Sequence, residues 1–251
     1  MTLKKSLQKY VANPSQKLIL AVGAHPDDID IGSAGTVAKF VKEGGKAFYL
    51  VLTDGSKGSE NPKISNKELT KIRRAEQQKA ADILGVEKVF FLGFVDGELK
   101  NTPTLCKQIV KIIRQIKPTT VICWDPTLYY DENRMMVNHP DHRIAGEATM
   151  DSVYPFARNA RTFPELLDEG LEPHVVEELL IMNFSRANYF VDISGTIDKK
   201  LKALAYHKSQ FSDIKKFADM IKKMSQMAGQ KAKPKVKYAE GFVRITLRKP
   251  S

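Results

Sequence analysis

Lys17-Leu18-Ile19-Leu20-Ala21-Val22-Gly23-Ala24-His25-Pro26-Asp27-Asp28 is the stretch on which the rest of the chain depends. Leu18 to Val22 is a continuous apolar run, short and stopped by Gly23. Such a run fits a strand buried on both faces, the kind found in parallel sheets. It delivers the chain directly into a histidine followed by two aspartates, so chemistry-bearing residues stand at the carboxyl end of a buried strand.

Outward from that stretch the pattern alternates. Helical periodicity over Ile31 to Glu43 stops at Gly44-Gly45. A second strand, Phe48 to Leu52, is turned by Thr53-Asp54-Gly55. After a polar loop over 59–65, Asn66 to Leu84 reads as a long helix capped by Gly85. Lys88 to Leu92 is a third strand, Thr104 to Ile116 a helix, Thr120 to Trp124 a fourth strand and Asp141 to Arg158 a helix. Alternation with short connections predicts a Rossmann-like, three-layer α/β/α fold around a mostly parallel, doubly wound sheet. Ligands of such sheets bind beyond the carboxyl ends of the strands, where His25, Asp54, Asp96 and Asp125 follow strands one to four.

The remaining third is less regular. Residues 159–175 read as loop, with Pro164, Gly170 and Pro173. Glu178 to Asn183 and Tyr189 to Ile193 read as paired strands joined near Arg186-Ala187-Asn188. Thr196 to His207 and Asp213 to Gly229 read as helices, and Phe242 to Leu247 as a late strand. Residues 1–16 read as an amphipathic lead-in. The expected organisation is one domain over 1–251, with a core at about 17–158 and a C-terminal, pocket-forming part at about 159–251.

Composition sets the class. The chain has 251 residues, of which 42% are hydrophobic and 27% charged, enough to bury a sizeable core. No apolar run approaches the roughly 18–20 residues of a membrane span. The start, Met1-Thr2-Leu3-Lys4-Lys5, leads into polar residues rather than the apolar core of a signal peptide. Cys106 and Cys123 have neither CxxC spacing nor a disulfide framework, so reduced thiols and a cytoplasmic location are expected. Net charge is +11, and twelve lysines between Lys199 and Lys237 face only Asp213 and Asp219. A basic face of this kind attracts nucleic acid or anionic lipid, or is a solvated helix surface. Aromatics are sparse there and no RNA- or DNA-binding signature is present, so no nucleic acid is expected.

A second cluster, Asn138-His139-Pro140-Asp141-His142-Arg143, opens the helix after strand four. The two clusters hold three of the five histidines. His25 and Asp28 are three residues apart, as are His139 and His142, a spacing that points both side chains the same way in a tight turn or first helical turn. Two histidines and a carboxylate can occupy one face of a divalent metal and leave the other open. The same set can hold Fe(II) in an oxygenase. Asp27, a spare carboxylate beside the ligands, favours hydrolysis, because it can accept a proton from an activated water. A histidine near a developing oxyanion would complete an amide hydrolase.

At these residues the chain resembles the PIG-L/LmbE family of metal-dependent N-acetylglucosamine de-N-acetylases. The likeness runs from about Lys17 to Ile245. It rests on Ala24 to Asp28 with Gly32-Ser33-Ala34-Gly35-Thr36, on His139 to His142, and on several smaller pieces. These are Leu52 to Gly55, Arg73 to Glu76, Leu84 to Val86, Phe94 to Gly97, His207 to Phe211 and Tyr238 to Phe242. The resemblance implies that His25, Asp28 and His142 bind zinc and that Asp27 is the general base. It implies that His139, oriented by Asp141, stabilises the oxyanion. It implies that Arg73 and Asp96 hold sugar hydroxyls and that His207 approaches the substrate. It further implies a small-molecule substrate, an N-acetylated amino sugar conjugate, and a homo-oligomer. The chain departs from many members at Ile29, where they carry Glu directly after the two aspartates; Asp30 comes next.

Plainer roles stand beside these. Arg73 and Glu76 can form a surface pair at i,i+3, and Asp54 and Asp96, each near a glycine, can serve turns. His207 near a helix end can serve the helix dipole, and Trp124 can pack under the site or face a sugar. His174 is expected to be exposed. A basic binding module using the Lys199–Lys237 face is the non-enzymatic alternative.

Overall fold

The computed structural model describes residues 17–248, so the lead-in read over residues 1–16 lies outside the described residues. Strands β1 (Leu18–Gly23), β2 (Lys46–Thr53), β3 (Lys88–Phe94) and β4 (Thr120–Trp124) alternate with helices α1 (Asp28–Lys42), α2 (Asn66–Leu84), α3 (Pro103–Ile116) and α4 (Pro140–Val153). A two-stranded hairpin, β5 (Tyr130–Asp131) and β6 (Met136–Val137), interrupts the β4–α4 connection. A short α5 (Glu165–Asp168), strands β7 (Glu178–Met182) and β8 (Tyr189–Asp192), helices α6 (Ile197–Leu204) and α7 (Ile214–Lys231), and β9 (Ala239–Thr246) complete the described chain.

Seven strands form one sheet in the order β3-β2-β1-β4-β7-β9-β8. The pairs from β3 to β7 are parallel, and β9 runs antiparallel to both its neighbours. The sheet is thus mostly parallel with helices around it, as expected. Alternation along β1 explains the layers. Leu18, Leu20 and Val22 pack with Phe48, Leu50 and Leu52 against Leu105, Ile109 and Ile113 of α3. Ile19 and Ala21 pack with Tyr49 and Val51 against Val37 of α1 and Ala80 of α2. Both faces of β1 are therefore covered, and each fully buried large side chain stabilises the fold by about 1.5–3 kcal/mol.

The strand order reverses at β1, because the chain winds outward through β2 and β3 and then returns to place β4 on the other side. The crevice between the ends of β1 and β4 is where such a sheet leaves room for a ligand.

The pairing of the C-terminal strands and the end of α4 differ from the sequence reading. β7 and β8 are not partners, because β9 lies between them and bonds to both. The buried Ala239 to Phe242 segment takes the interior slot, and β8, only partly buried, takes the edge. The α4 helix ends at Val153 and a single 3-10 turn covers Phe156–Arg158. His174 is half-buried rather than exposed, its Nε2 on the Pro118 carbonyl at 2.7 Å.

Close approach requires glycine at two places that position the site. Gly35 of α1 leaves no room for a methyl, since an added Cβ would lie 2.7 Å from Ile193 Cδ1. Gly146 of α4 seats that helix on the end of β4, where a Cβ would lie 2.3 Å from the Trp124 carbonyl oxygen. A backbone atom cannot swing aside, so Gly146→Ala is expected to push α4 off β4. The cost should be about 1–3 kcal/mol of stability by overpacking. A fall in the urea midpoint with unchanged slope checks this.

Candidate metal centre and active site

The end of β1 and the start of α1 shape the site. Asp28 is the first helical residue, three positions earlier than periodicity indicates, because Asp27 leaves the helical lane with φ 108°. A non-glycine residue in that region costs of order 1–3 kcal/mol and persists only where its surroundings hold it. Here they do. The Asp27 N–H donates to Gln77 Oε1 at 2.9 Å, and the Asp27 carbonyl accepts from the Ile31 N–H at 2.9 Å. Arg73 donates to the carbonyls of Pro26 at 2.8 Å and Gly55 at 2.9 Å. Gln77→Leu is expected to orphan the Asp27 N–H and loosen this turn. The expected result is a fall in kcat of about tenfold or more at nearly constant KM, since small misplacements of a reacting group carry large rate costs.

The His25 ring is held at both nitrogens. Its Nδ1 faces Asp28 Oδ2 at 3.5 Å, while its Nε2 lies 3.0 Å from Asp96 Oδ1 and 3.3 Å from Asp141 Oδ2. Those two carboxylates already accept backbone N–H groups, Lys57 on Asp96 at 3.0 Å and Gly97 on Asp141 at 2.7 Å. With Nε2–H donated to them, Nδ1 is the nitrogen turned towards Asp28. His142 is set the opposite way. Its Nδ1 pairs with Asn138 Oδ1 at 3.0 Å, and its Nε2 faces Asp28 Oδ1 at 3.0 Å. Asn138 is fixed in turn by donating to the Leu128 carbonyl at 2.8 Å. Trp124 supports the ring from below, stacked at 4.7 Å and 2°. Asp28 thus stands between two imidazole nitrogens whose opposite nitrogens are committed elsewhere.

Ring nitrogens of His25, His139 and His142 lie within 4.8 Å of one another, and so do His25, Asp96 and Asp141 donor atoms. This donor chemistry fits a divalent metal. A metal-binding histidine commonly donates its other ring N–H to a carboxylate or amide oxygen, which fixes the ring's orientation and tautomer. Asp96, Asp141 and Asn138 are such acceptors.

Charge follows burial and contact. Desolvation opposes protonation of His25, but its hydrogen bonds to the carboxylates of Asp141, Asp28 and Asp96 override it and push the ring up to about 12. Burial acts against ionisation of Asp96 too, yet the His25 contacts and the Lys57 N–H hold it down at about 2. For Asp27, burial pushes its carboxyl up to about 6, with Arg73 opposing and Asp28 reinforcing. His139 is lowered by burial and by the neighbouring His25 and His142. Its Nδ1 accepts the Asp141 N–H at 3.1 Å, which places the proton of the neutral ring on Nε2.

Eight of the nine residues singled out in the sequence meet here: His25, Asp27, Asp28, Arg73, Asp96, His139, Asp141 and His142. Arg73 is buried, with Asp27 Oδ2 at 3.5 Å and Asp96 Oδ2 at 3.9 Å, rather than paired on the surface with Glu76. Glu76 binds Ser209 instead. Asp141 touches His139 through its backbone N–H, and its carboxylate turns to His25. His207 stands apart, fully buried, its Nε2 on Asp30 Oδ2 at 2.7 Å.

Residues not singled out prove central. Asp30 also accepts from Gln77 at 2.9 Å and Tyr49 at 3.1 Å, tying His207 to the Asp27 turn. Glu240 accepts the N–H groups of Gly35 and Thr36 at 3.0 and 2.7 Å and pairs with buried Lys200 at 2.5 Å, clamping α1 from outside. Asn138, directly before His139, carried the clearest missed signal, because it lies four residues before His142.

Comparisons with known proteins place this geometry. A family model described as GlcNAc-PI de-N-acetylase (PIG-L) matches residues 20–153. A diacetylchitobiose deacetylase of Thermococcus kodakarensis is 39% identical over 197 residues, 78% of this chain and 71% of the relative. A probable N-acetyl-alpha-D-glucosaminyl L-malate deacetylase 2 of Bacillus anthracis is 29% identical, over 79% of this chain and 83% of its own. The inhibitor complex of N,N'-diacetylchitobiose deacetylase from Pyrococcus horikoshii superposes with a TM-score of 0.84 at 33% identity. It covers 97% of this chain and 90% of its own. A strand-end His-Pro-Asp-Asp turn, facing a helix-opening His-Pro-Asp-His turn across the switch point, belongs to a chain that is a member of the PIG-L deacetylase family.

Proposed function

We propose that this protein is a zinc-dependent amide hydrolase that removes the acetyl group from an N-acetylglucosamine-type conjugate, giving the free amine and acetate. The observation that carries this reading is the position of Asp28 between His25 Nδ1 and His142 Nε2, with Asp27 next to it. The names of the relatives, deacetylases of diacetylchitobiose and of a glucosaminyl malate, supply the substrate class. Family membership favours hydrolysis over the Fe(II) oxygenase reading.

In this reading His25, Asp28 and His142 hold the metal. Zinc, when bound, supplies a Lewis acid that lowers the pKa of a water to about 7. Asp27 takes the proton of the attacking water and returns it to the leaving amine; a carboxyl near 6 serves both duties at neutral pH. Neutral His139 donates Nε2–H to the oxygen that becomes negative as water adds. Arg73 keeps Asp27 in place and, with Asp96, faces the sugar hydroxyls. His207 acts from behind through Asp30 rather than on the substrate. Cys106 and Cys123 are free and buried, which supports a cytoplasmic setting. Among the described residues no helix is long and apolar enough to cross a membrane.

Acetate release from N-acetylglucosamine and diacetylchitobiose, by protein stripped of metal and reloaded with zinc, tests the reading. Release that appears only on reloading is expected. No release from either, with one zinc bound, overturns the substrate class.

A further inference from the structure

Asp28 and His142 also form one wall of a cavity of about 190 Å³. Ile31, Trp124, Leu128, Met136 and Phe184 supply its apolar lining. The polar side chains around it are engaged with one another. Asn138 binds His142 and the Leu128 carbonyl, Ser185 binds Asp131, and the Arg134 guanidinium lies over the Phe184 ring at 4.8 Å. Asp27, Arg73, Asp96 and His139 lie outside these walls. The site is therefore divided, polar on the Asp27–Arg73–Asp96 side and apolar on the Trp124–Phe184 side.

A sugar ring placed in the apolar half would bury hydroxyls without partners, which is costly. An alkyl chain has no such cost. Size decides further, since an apolar cavity of about 150 Å³ holds benzene, and an acetyl group brings a single methyl. We propose that this cavity is an acyl-chain subsite, and that the protein hydrolyses N-acyl amino sugars with straight acyl chains of about six carbons faster than the acetyl derivative. The proposal rests on the amide-hydrolase reading of the same site. The reaction is balanced with water alone. The water oxygen bonds to the acyl carbon, the C–N bond breaks, the amine leaves as an ammonium carrying both of the water's protons, and the acyl group departs as a carboxylate.

Phe184 and Arg134, together with Ile31, also wall a second, narrow cavity of about 50 Å³ beneath α7, lined by Phe190, Ile221 and Met224. Removing the Phe184 ring should join the two spaces.

The test uses zinc-loaded protein and N-acetyl-, N-butyryl-, N-hexanoyl- and N-octanoyl-glucosamine, read as free amine. Burial of each methylene favours the longer chain, so kcat/KM should rise by about tenfold or more from acetyl to hexanoyl. Leu128→Trp should lower the hexanoyl-to-acetyl ratio by about tenfold by filling the cavity. Phe184→Ala should move the optimum to octanoyl. Acetyl turnover with hexanoyl tenfold slower would overturn the subsite and leave the deacetylase reading standing. Turnover of none of the four would overturn both. Ratios unmoved in both variants, each folded by circular dichroism, would also overturn the subsite.

Discussion

Replacing Asp27 by asparagine should lower kcat on an N-acetylated amino sugar by about 10²–10⁴-fold, the usual contribution of a positioned general base. The substitution separates chemistry from architecture. Asn tolerates positive φ at least as well as Asp, so the 108° turn that projects this side chain survives. The backbone bonds that hold it, from the Asp27 N–H to Gln77 and from Ile31 to the Asp27 carbonyl, do not involve the carboxylate. What is lost is the group that accepts a proton. KM and zinc stoichiometry should stay within about twofold of wild type, since the reading assigns Asp27 no metal bond and no uniform binding role. An Asp27→Asn protein with wild-type kcat and one zinc bound would sink the base assignment. Asp27→Ala is a poorer experiment, because alanine at positive φ adds strain of its own.

How much of this was readable beforehand depends on how local each feature is. β1 was legible because an apolar run buried on both faces leaves a sequence mark, and His25 was legible because it ends that run. The Gly85 cap was legible because a left-handed residue, at φ 80°, ends a helix best as glycine. The start of α1 was not, because nothing in the letters shows that Asp27 takes a positive φ. The insertion of β9 between β7 and β8 was not, because adjacency in sequence argues for a hairpin and only the competition for the buried slot decides otherwise. His207 was placed near the substrate because its motif resembles one, but its partner Asp30 lies 177 residues away and no local rule connects them. Asp30 replaces nothing by chance here. Its carboxylate gathers Tyr49, Gln77 and His207 into one buried network under the Asp27 turn. The Ile29-Asp30 pair, read as a departure from the family pattern, is the pair that packs the core with Ile29 and anchors the network with Asp30.

Asp28 should be the least replaceable residue in the molecule. Asp28→Ala is expected to abolish stoichiometric zinc binding and reduce acetate release to background. Loss of the metal's contribution alone removes several kcal/mol of transition-state stabilisation. The reason lies in how many groups converge on one buried carboxylate. Oδ2 accepts the His25 N–H at 2.8 Å and faces its Nδ1, while Oδ1 meets His142 Nε2 at 3.0 Å. Burial alone would raise its pKa, and the charge and hydrogen bonds of His142 and His25 reverse that, so it stays ionised and ready to ligate. Asn138→Leu provides the graded control. It removes the acceptor behind His142, together with the bond to the Leu128 carbonyl, and frees that ring to rotate or change tautomer, so zinc affinity should weaken by about 10–100-fold without vanishing. Zinc content after dialysis against a chelator series orders the two. If Asp28→Ala keeps zinc as tightly as wild type while Asn138→Leu loses it, the metal sits among the ring nitrogens of His25, His139 and His142. Asp28 would then be a structural clasp between two histidines.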